Sequence, residues 1–362
     1  MRKAILLFIL LFQVAILQAQ EVNFVEDYYP FIRKAEIAIT QLSFGEASNY
    51  YKQAFKAVEQ PFAIDYYNAA LCAIQNKNYR EATRYSGLLI DKGMDSRFFN
   101  RQAFSSIKKE KVWKKLMQTY PKRRKAYLSR INISLRNEIL SLNEKDQHFR
   151  RMPGSYGVHG DTIFGIDMAN VKRIREIISQ YGYPDENLVG LVDNNFHSSL
   201  PSIIILHHYQ QGYYDLSATL LEQVKMGKLS PREFVQYEEQ LLQHKYKSNL
   251  FTKLDTTIVV EHKFKIADLT TSDQVRKDVG LETIEEWRRK ILFEMNNVLL
   301  LPWERYKNYQ NEGFNFQSGY GIFGFIGDGA FNRKFIERIP PEAIHILDNA
   351  ELEKESIKKV FW

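Results

Sequence analysis

The sequence predicts a mainly α protein, in which N-terminal helical hairpins precede a helical domain with a small β element. Three observations indicate this class. Small and aromatic residues repeat along residues 28–94, helix-start motifs mark the chain after residue 131, and only one stretch alternates like a strand. With 362 residues, 44% of them hydrophobic, the chain is long enough for two domains.

The N-terminal region repeats a helical pattern, since Ala47 aligns with Ala82 at an offset of 35 residues. The matching small and aromatic positions are Phe31, Ala35, Ala38, Ala47, Tyr51 and Ala54 in the first unit, and Tyr66, Ala70, Ala73, Ala82, Ser86 and Leu89 in the second. The offset is close to the period of a tetratricopeptide repeat. We therefore expect residues 28–118 to form tetratricopeptide-like helical hairpins. Residues 96–118 are expected to add a capping helix whose apolar side is Phe98, Phe99, Phe104, Trp113 and Leu116.

The N-terminus has the three parts of a secretory signal peptide. Arg2 and Lys3 precede an apolar run, which gives way to smaller and more polar residues toward Ala19. Gln13 interrupts this run, which falls short of the ~20 residues that a membrane-spanning helix needs. We expect residues 1–19 to be cleaved and the mature protein to be exported, either periplasmic or secreted.

The charge is modestly basic. Cleavage removes Arg2 and Lys3 and lowers the net charge of +7 by two, to +5, which does not favour nucleic acid as a partner. Residues 108–130 contain one acid, Glu110, against ten basic residues: Lys108, Lys109, Lys111, Lys114, Lys115, Lys122, Arg123, Arg124, Lys125 and Arg130. This region is either a surface for an anionic lipid or polyanionic glycan, or a solvated helix and linker between domains.

Motifs for helix starts continue through a second domain, which we place at residues 131–300. Ser230-Pro231-Arg232-Glu233 is a capping box that predicts a helix from Pro231 to about Gln243, and Gly227 is expected to close the preceding helix. Thr283-Ile284-Glu285-Glu286 opens another box, and Thr271 to Gln274 is a third start motif. The alternation from Ile258 to Ile266 predicts a strand.

The last part of the chain, residues 301–362, is expected to be a loop rich in glycine and aromatic residues followed by a C-terminal helix. Gly319-x-Gly321-x-x-Gly324 looks like a dinucleotide-binding motif, but no hydrophobic strand precedes it. We expect an irregular loop between Gly313 and Phe331 and no cofactor. A loop that grips a ligand remains the alternative.

One stretch contains a candidate polar site. In the helix predicted around Leu135 to Arg150, Asp146 falls in the apolar stripe, and Arg150 one turn later can pair with it. His208 shares the inward face of another helix with Ile204, so Asp146, Arg150 and His208 are expected to meet. His207 and His208 are adjacent and diverge by about 100° on a helix, so no metal site is predicted. The alternative is an ion pair at the rim of the core.

The same region resembles a bacterial family known as domain of unknown function six-six-two-four. The similarity covers residues 135 to about 290 and rests on Leu135–Arg150, Val171–Ile174, Tyr181–Pro184, Val189–Gly190, His207–His208, Gly227–Pro231 and Val275–Leu281. It carries over four polar positions, namely Asp146, Arg150 and His208 as catalytic candidates and Gln147 as a ligand-binding candidate. Tyr209-Gln210 and Glu239-Gln240 depart from the family pattern, and the family implies no established activity.

Two functions from different classes remain open. The first is a binding module of the cell envelope, whose helical repeats contact a protein or peptide. The second is a hydrolase-like enzyme that uses Asp146 and His208. Convergence of Asp146, Arg150 and His208 in a concave pocket favours the enzyme.

Overall fold

The computed structural model describes residues 22–192, 196, 198–213, 215–239, 251–254, 257–261, 266–287, 289–290 and 357–361. The predicted signal peptide and the segment from Gly313 to Phe331 lie outside these residues. Within the described part the protein is mainly helical, as the sequence predicts. No helix among the described residues is both long enough and apolar enough to cross a membrane.

Two helical hairpins form the N-terminal part. Their helices are α1 (Tyr29–Thr40), α2 (Phe44–Ala57), α3 (Ala63–Gln75) and α4 (Tyr79–Asp91), after a π-helical turn at Phe24–Tyr28. The turns between paired helices contain Leu42 and Lys77, which both have positive φ and lie 35 residues apart. The hairpins therefore repeat at the offset seen between Ala47 and Ala82, both fully buried. Their assignment as tetratricopeptide repeats stays a prediction.

The predicted capping helix over residues 96–118 is wrong as a single helix. Two 3-10 segments, Ser96–Asn100 and Gln102–Ile107, precede α5 (Lys111–Arg130). The helical conformation is interrupted between them, because the backbone of Arg101 is extended, with ψ of 148°. The predicted apolar residues are nevertheless buried, namely Phe98, Phe99, Phe104, Trp113 and Leu116. Residues 108–130, interpreted from the sequence as either a charged binding surface or a solvated helix and linker, lie mainly in α5, which packs on α4.

The second helical part surrounds the candidate polar site. Its helices are α6 (Ile133–His148), α7 (Ser155–Tyr181), α8 (Ser202–Gln210), α9 (Ser217–Lys225), α10 (Pro231–Glu238) and α11 (Ile266–Asp278), with a 3-10 turn at Phe149–Arg151. Helices α6, α7 and α8 contact one another. One core cluster of buried residues extends from Phe24 to Leu281, so the hairpins and the second part share their interior.

The capping predictions at two helix starts are confirmed. Ser230 Oγ accepts a hydrogen bond of 3.2 Å from the backbone N–H of Glu233, and α10 begins at Pro231. The described helix ends at Glu238 rather than near residue 243. Thr283 Oγ1 accepts from the N–H of Glu286, whose carboxylate in turn accepts from the N–H of Thr283 at 2.9 Å. The pair at Thr283 and Glu286 is thus a reciprocal capping box, whereas at Ser230 only the serine caps the helix, because the Glu233 carboxylate accepts hydrogen bonds from Ser199 and Tyr237 instead.

Other local predictions have mixed outcomes. Gly227 follows α9 with φ of +68°, as expected of a helix-closing glycine. The start predicted at Thr271 is wrong, because α11 begins five residues earlier at Ile266. Asp273 instead caps the following helical turn, since its Oδ1 accepts from the N–H of Ile284 at 2.8 Å. The same residue types that mark a helix start also occur inside helices, so this motif alone does not locate one.

Three short strands pair outside the helical parts. They are β1 (Phe251–Leu254), β2 (Thr257–Glu261) and β3 (Ile357–Phe361), antiparallel in the order β1-β2-β3. The predicted strand is wrong at Ile266, which belongs to α11, and β3 stands within the predicted C-terminal helix. β3 is rich in β-branched and aromatic residues, which favour strands. The described helical parts contain no strand, so a small β element within the helical domain is not supported.

Candidate functional site

Asp146 is buried in the apolar stripe of α6, as the sequence predicts. Its carboxylate is inaccessible to solvent, and Leu135, Ile139 and Leu142 of the same stripe are also buried. Burying a charged carboxylate is costly unless donors surround it. The neighbours of Asp146 therefore decide whether its position reflects structure or chemistry.

Arg150 is a partner of Asp146, but a second carboxylate holds it more closely. Arg150 Nη1 donates to the backbone carbonyl of Asp146 at 2.7 Å and lies 3.3 Å from its Oδ1. Arg150 Nη2 contacts both carboxylate oxygens of Asp167 on α7, at 2.8 and 2.7 Å. Burial raises the pKa of Asp167, and the guanidinium of Arg150 offsets part of this effect. The arginine thus links two buried carboxylates.

The predicted meeting of Asp146 with His208 is wrong, because the partner is His207. His207 Nδ1 lies 3.0 Å from Asp146 Oδ1. His208 Nε2 lies 2.9 Å from Asp215 Oδ1, and its ring stacks on Tyr213. Helix α8 buries residues around most of its circumference, including both histidines. The apolar pattern therefore did not show which histidine faces α6.

Two glutamines complete the group that we call the Asp146 cluster, consisting of Asp146, Gln147, Arg150, Asp167, His207 and Gln211. Gln147 Nε2 donates to Asp146 Oδ2 at 2.7 Å, and Gln211 Nε2 donates to Asp167 Oδ2. The sequence reasoning missed Asp167, His207 and Gln211. Asp167 was detectable, since it shares one face of α7 with buried residues at helical spacing: Ile163, Asn170, Val171 and Ile174.

Three groups of the cluster have the chemistry of metal ligands. Ligand atoms of Asp146, Asp167 and His207 lie within 4.8 Å of one another. The carboxylate oxygens, however, already accept hydrogen bonds from Arg150 and the two glutamines. The guanidinium also supplies the positive charge that a cation would contribute. The described arrangement is therefore compensated by its own side chains.

The pair of Asp146 and His207 has the geometry of a carboxylate that orients an imidazole. A carboxylate only accepts hydrogen bonds, so the proton lies on Nδ1 and leaves Nε2 as an acceptor. Nε2 has no hydrogen-bond partner among the described residues, and 11% of the His207 side chain is exposed. Asp146, Asp167 and Arg150 are almost fully enclosed. Within this dyad His207 is therefore the slightly more exposed side chain, although it too is largely buried.

The basic stretch between residues 108 and 130 lies mainly on α5. The five lysines on α5 are exposed and make no ion pair or hydrogen bond among the described residues. We call them the α5 lysine face: Lys111, Lys114, Lys115, Lys122 and Lys125. Arg123 differs from them, since it pairs with Asp91 at 2.5 Å. This pair fixes α5 against the second hairpin, so the lysine face adjoins the helical hairpins.

No family model matches the chain. Searches among curated proteins and among solved structures likewise find no match. The similarity of residues 135–290 to domain of unknown function six-six-two-four therefore stays a prediction, and the site must be interpreted from its own geometry.

Proposed function

We propose that the protein is an exported binding module of the cell envelope that recognises an acidic surface on a protein or peptide partner. The α5 lysine face carries this proposal. Lys111 and Lys115 are one turn apart, and like charges at this spacing destabilise a helix by a few tenths of a kcal/mol. Acidic groups of a partner would relieve this repulsion and gain Coulomb energy.

A protein or peptide suits this face better than a lipid bilayer. A helix that lies in a membrane interface needs a broad exposed apolar face. In α5 the large apolar side chains of Trp113, Leu116 and Tyr127 are buried in the core instead. Val112 and Leu128, near opposite ends of α5, are its exposed large hydrophobic residues. The face therefore offers charge without a surface for insertion.

A poly-glutamate peptide with a fluorescent label tests the proposal by anisotropy. We expect the triple variant Lys114→Gln, Lys115→Gln, Lys122→Gln to weaken binding about tenfold, because three attractive charges are lost. The control variant carries the same charge change at exposed lysines elsewhere: Lys56, Lys77 and Lys172. Equal loss in both variants means that net charge alone acts and rejects the face. Binding to vesicles of anionic lipid, with none to poly-glutamate, rejects a protein partner.

Export is a separate part of the proposal. The signal-peptide pattern of residues 1–19 supports it. N-terminal sequencing of the protein from its native host is expected to give a mature start near residue 20. An intact Met1 on a membrane-bound product would rule out cleavage.

A hydrolase-like enzyme is the second candidate, favoured by Nε2 of His207, which has no hydrogen-bond partner among the described residues. In such an enzyme His207 accepts a proton from water, and Asp146 holds the ring by its Nδ1–H. The test is hydrolysis of p-nitrophenyl esters. Activity that is lost in the His207→Gln variant and kept in the His208→Gln variant would support this function. Activity that is absent, or equal in both variants, rejects it.

A further inference from the structure

A cleft of about 210 Å³ opens beside the C-terminal half of α5. Its lining combines three arginines, Arg97, Arg124 and Arg136, with one acid, Asp95. Besides Gly93 and Tyr127, four aliphatic residues form an apolar part of the wall: Leu128, Ile131, Ile133 and Leu191. The cleft is separate from the Asp146 cluster, and it differs from the α5 lysine face because its charges line a concave space.

The cleft carries an excess of positive charge. Arg97 pairs with Asp95 at 2.9 Å, and hydrogen bonds from the backbone N–H and side chain of Arg97 lower the pKa of Asp95. Arg124 and Arg136 contact no carboxylate within hydrogen-bond or ion-pair distance among the described residues. Arg124 also interacts electrostatically with Asp95, and with three arginines against one aspartate the lining of the cleft has a net charge of about +2.

Backbone contacts hold these two guanidinium groups in place. Arg124 Nη1 donates to the carbonyl of Gly93 at 2.5 Å, and Arg136 Nη1 donates to the carbonyl of Val189 at 2.7 Å. Arg124 also lies over the ring of Tyr127, 4.9 Å from its centroid. A guanidinium has five N–H donors, so each arginine keeps donors for a ligand. Fixing them in advance reduces the entropy lost when a ligand binds.

We propose that this cleft binds a phosphate monoester, with the phosphate between Arg124 and Arg136 and the organic group on the apolar wall. Two guanidinium groups balance one dianion, whereas a single carboxylate leaves one of them uncompensated. The planar guanidinium fork also matches phosphate oxygens in pairs. The volume of about 210 Å³ leaves room for a small phosphate ester.

Phenyl phosphate, titrated by calorimetry at constant ionic strength, tests the inference. We expect one molecule to bind per chain, more tightly than inorganic phosphate, which lacks the apolar group, and more tightly than benzoate, which has one charge. Absence of phenyl phosphate binding overturns the proposal. Equal affinity for inorganic phosphate overturns the role of the apolar wall, and equal affinity for benzoate overturns the requirement for a dianion.

Variants locate the site and separate it from the proposed function. Arg124→Gln and Arg136→Gln are each expected to weaken phenyl phosphate binding tenfold or more, since each removes a charge-assisted contact. The triple variant Lys114→Gln, Lys115→Gln, Lys122→Gln is expected to bind phenyl phosphate like the wild type, although its affinity for poly-glutamate is reduced. If both arginine variants bind phenyl phosphate with wild-type affinity, the cleft is not the binding site. If the triple lysine variant binds neither phenyl phosphate nor poly-glutamate, the cleft is not independent of the α5 lysine face.

A measurement on the wild-type protein covers the case in which the arginine variants do not fold. Phenylglyoxal modifies accessible arginines, and mass spectrometry identifies them. Saturating phenyl phosphate is expected to slow modification of Arg124 and Arg136 but not of Arg151, which is exposed elsewhere on the surface. Equal modification with and without phenyl phosphate overturns the assignment.

Discussion

The imidazole of His207 lies against the carboxylate of Asp146, with Nδ1 3.0 Å from Oδ1 and 2.9 Å from Oδ2. His208, the next residue, contacts Asp215 on the other side of α8. A difference of one helical position, about 100°, thus assigns the two adjacent rings to two different carboxylates. Each pairing can be tested separately.

Asp146→Asn should change the imidazole ¹⁵N chemical shifts of His207 and leave those of His208 unchanged. In the wild type we expect ¹⁵N chemical shifts of the imidazoles to place the neutral His207 proton on Nδ1, because only that nitrogen faces Asp146. An asparagine presents an amide of weaker acceptor strength, so the signals of His207 should change. Asp215→Asn is the matched control and should change His208 alone. Signals of His208 that respond to Asp146→Asn would contradict the geometry.

Much of the local structure around the site was predictable from short-range patterns. The stripe of α6 correctly indicated that Asp146 is buried, and Arg150 follows at the spacing of one helical turn. The helix starts at Ser230 and Thr283 were predicted correctly because N-terminal capping depends on residues within one turn. Such features need no knowledge of how distant segments pack.

The partners from other helices were not predictable in the same way. Asp167 and Gln211 come to the cluster from α7 and the end of α8, and only tertiary packing decides that they meet Arg150 and Asp146. The prediction that His208 meets Asp146 was wrong because α8 is buried on several sides. Its apolar residues therefore do not define a single inward face. A helix exposed on one side would have shown its orientation.

Replacing Arg150 should destabilise the fold far more than replacing the next residue, Arg151. Arg150→Met removes the cation that joins Asp146 and Asp167, leaving two buried carboxylates, and we expect a cost on the order of 3 kcal/mol in the free energy of unfolding. Arg151→Met is the control, since Arg151 is 65% exposed and only a 3.7 Å contact joins it to Glu144. Urea unfolding measures the free energy of unfolding of both variants. Similar losses in the two variants would contradict a structural role for the buried ion pairs of Arg150.

Gly190→Ala should be more harmful than Gly182→Ala, although both glycines have positive φ, +84° and +79°. A Cβ at residue 190 would lie 2.0 Å from the hydroxyl oxygen of Tyr127, whereas nothing lies within 4 Å at residue 182. Gly182 has ψ of −178°, a backbone region essentially restricted to glycine, and strain of this kind costs roughly 1–3 kcal/mol. We expect Gly182→Ala to show this cost and Gly190→Ala to exceed it by about 1–3 kcal/mol on the scale of overpacking.

The contribution of Tyr127 to that difference can be isolated. Tyr127→Phe removes the hydroxyl group that lies nearest to the added Cβ, so the gap between Gly190→Ala and Gly182→Ala should narrow when each is combined with Tyr127→Phe. Thermal unfolding of the two single and two double variants measures the gap. If it is the same with and without the hydroxyl, the contact with Tyr127 is not the cause.

A buried ion network should make stability depend on pH at both extremes. Lys290 Nζ contacts Glu36 of α1 and lies 3.2 Å from Glu282 Oε2, while Arg276 Nη2 lies 3.2 Å from Glu282 Oε1. Burial by itself favours the neutral carboxyl, but Lys290 and Arg276 outweigh it and lower the pKa of Glu282. Burial likewise opposes the ammonium, but Glu282 and Glu36 outweigh it and raise the pKa of Lys290.

The signs of these shifts define the pH window. Because the pKa of Glu282 is lower in the folded chain, its contribution is complete above its ordinary value of 4.5 and is lost as the pH falls through the folded value. Because the pKa of Lys290 is raised, its contribution is complete below 10.5 and is lost as the pH rises through the folded value. Between these limits the contributions of Glu282 and Lys290 are both complete, whereas burial lowers the pKa of Arg276 and so opposes its charged form.

Glu282→Gln should therefore lower the free energy of unfolding by about 3 kcal/mol near neutral pH, the usual cost of removing one partner from a buried pair. The difference from wild type should shrink as the pH falls below 4.5, because the unfolded chain binds the proton there first, and it should be lost once the pH passes the lower folded pKa and the folded carboxyl is protonated as well. Glu285→Gln is the control, since Glu285 is 45% exposed and its pair with Arg289 should contribute less than about 1 kcal/mol. Urea unfolding across the acid range measures both variants. A difference for Glu282→Gln that grows on acidification would mean that the carboxylate is not stabilised by its cationic neighbours.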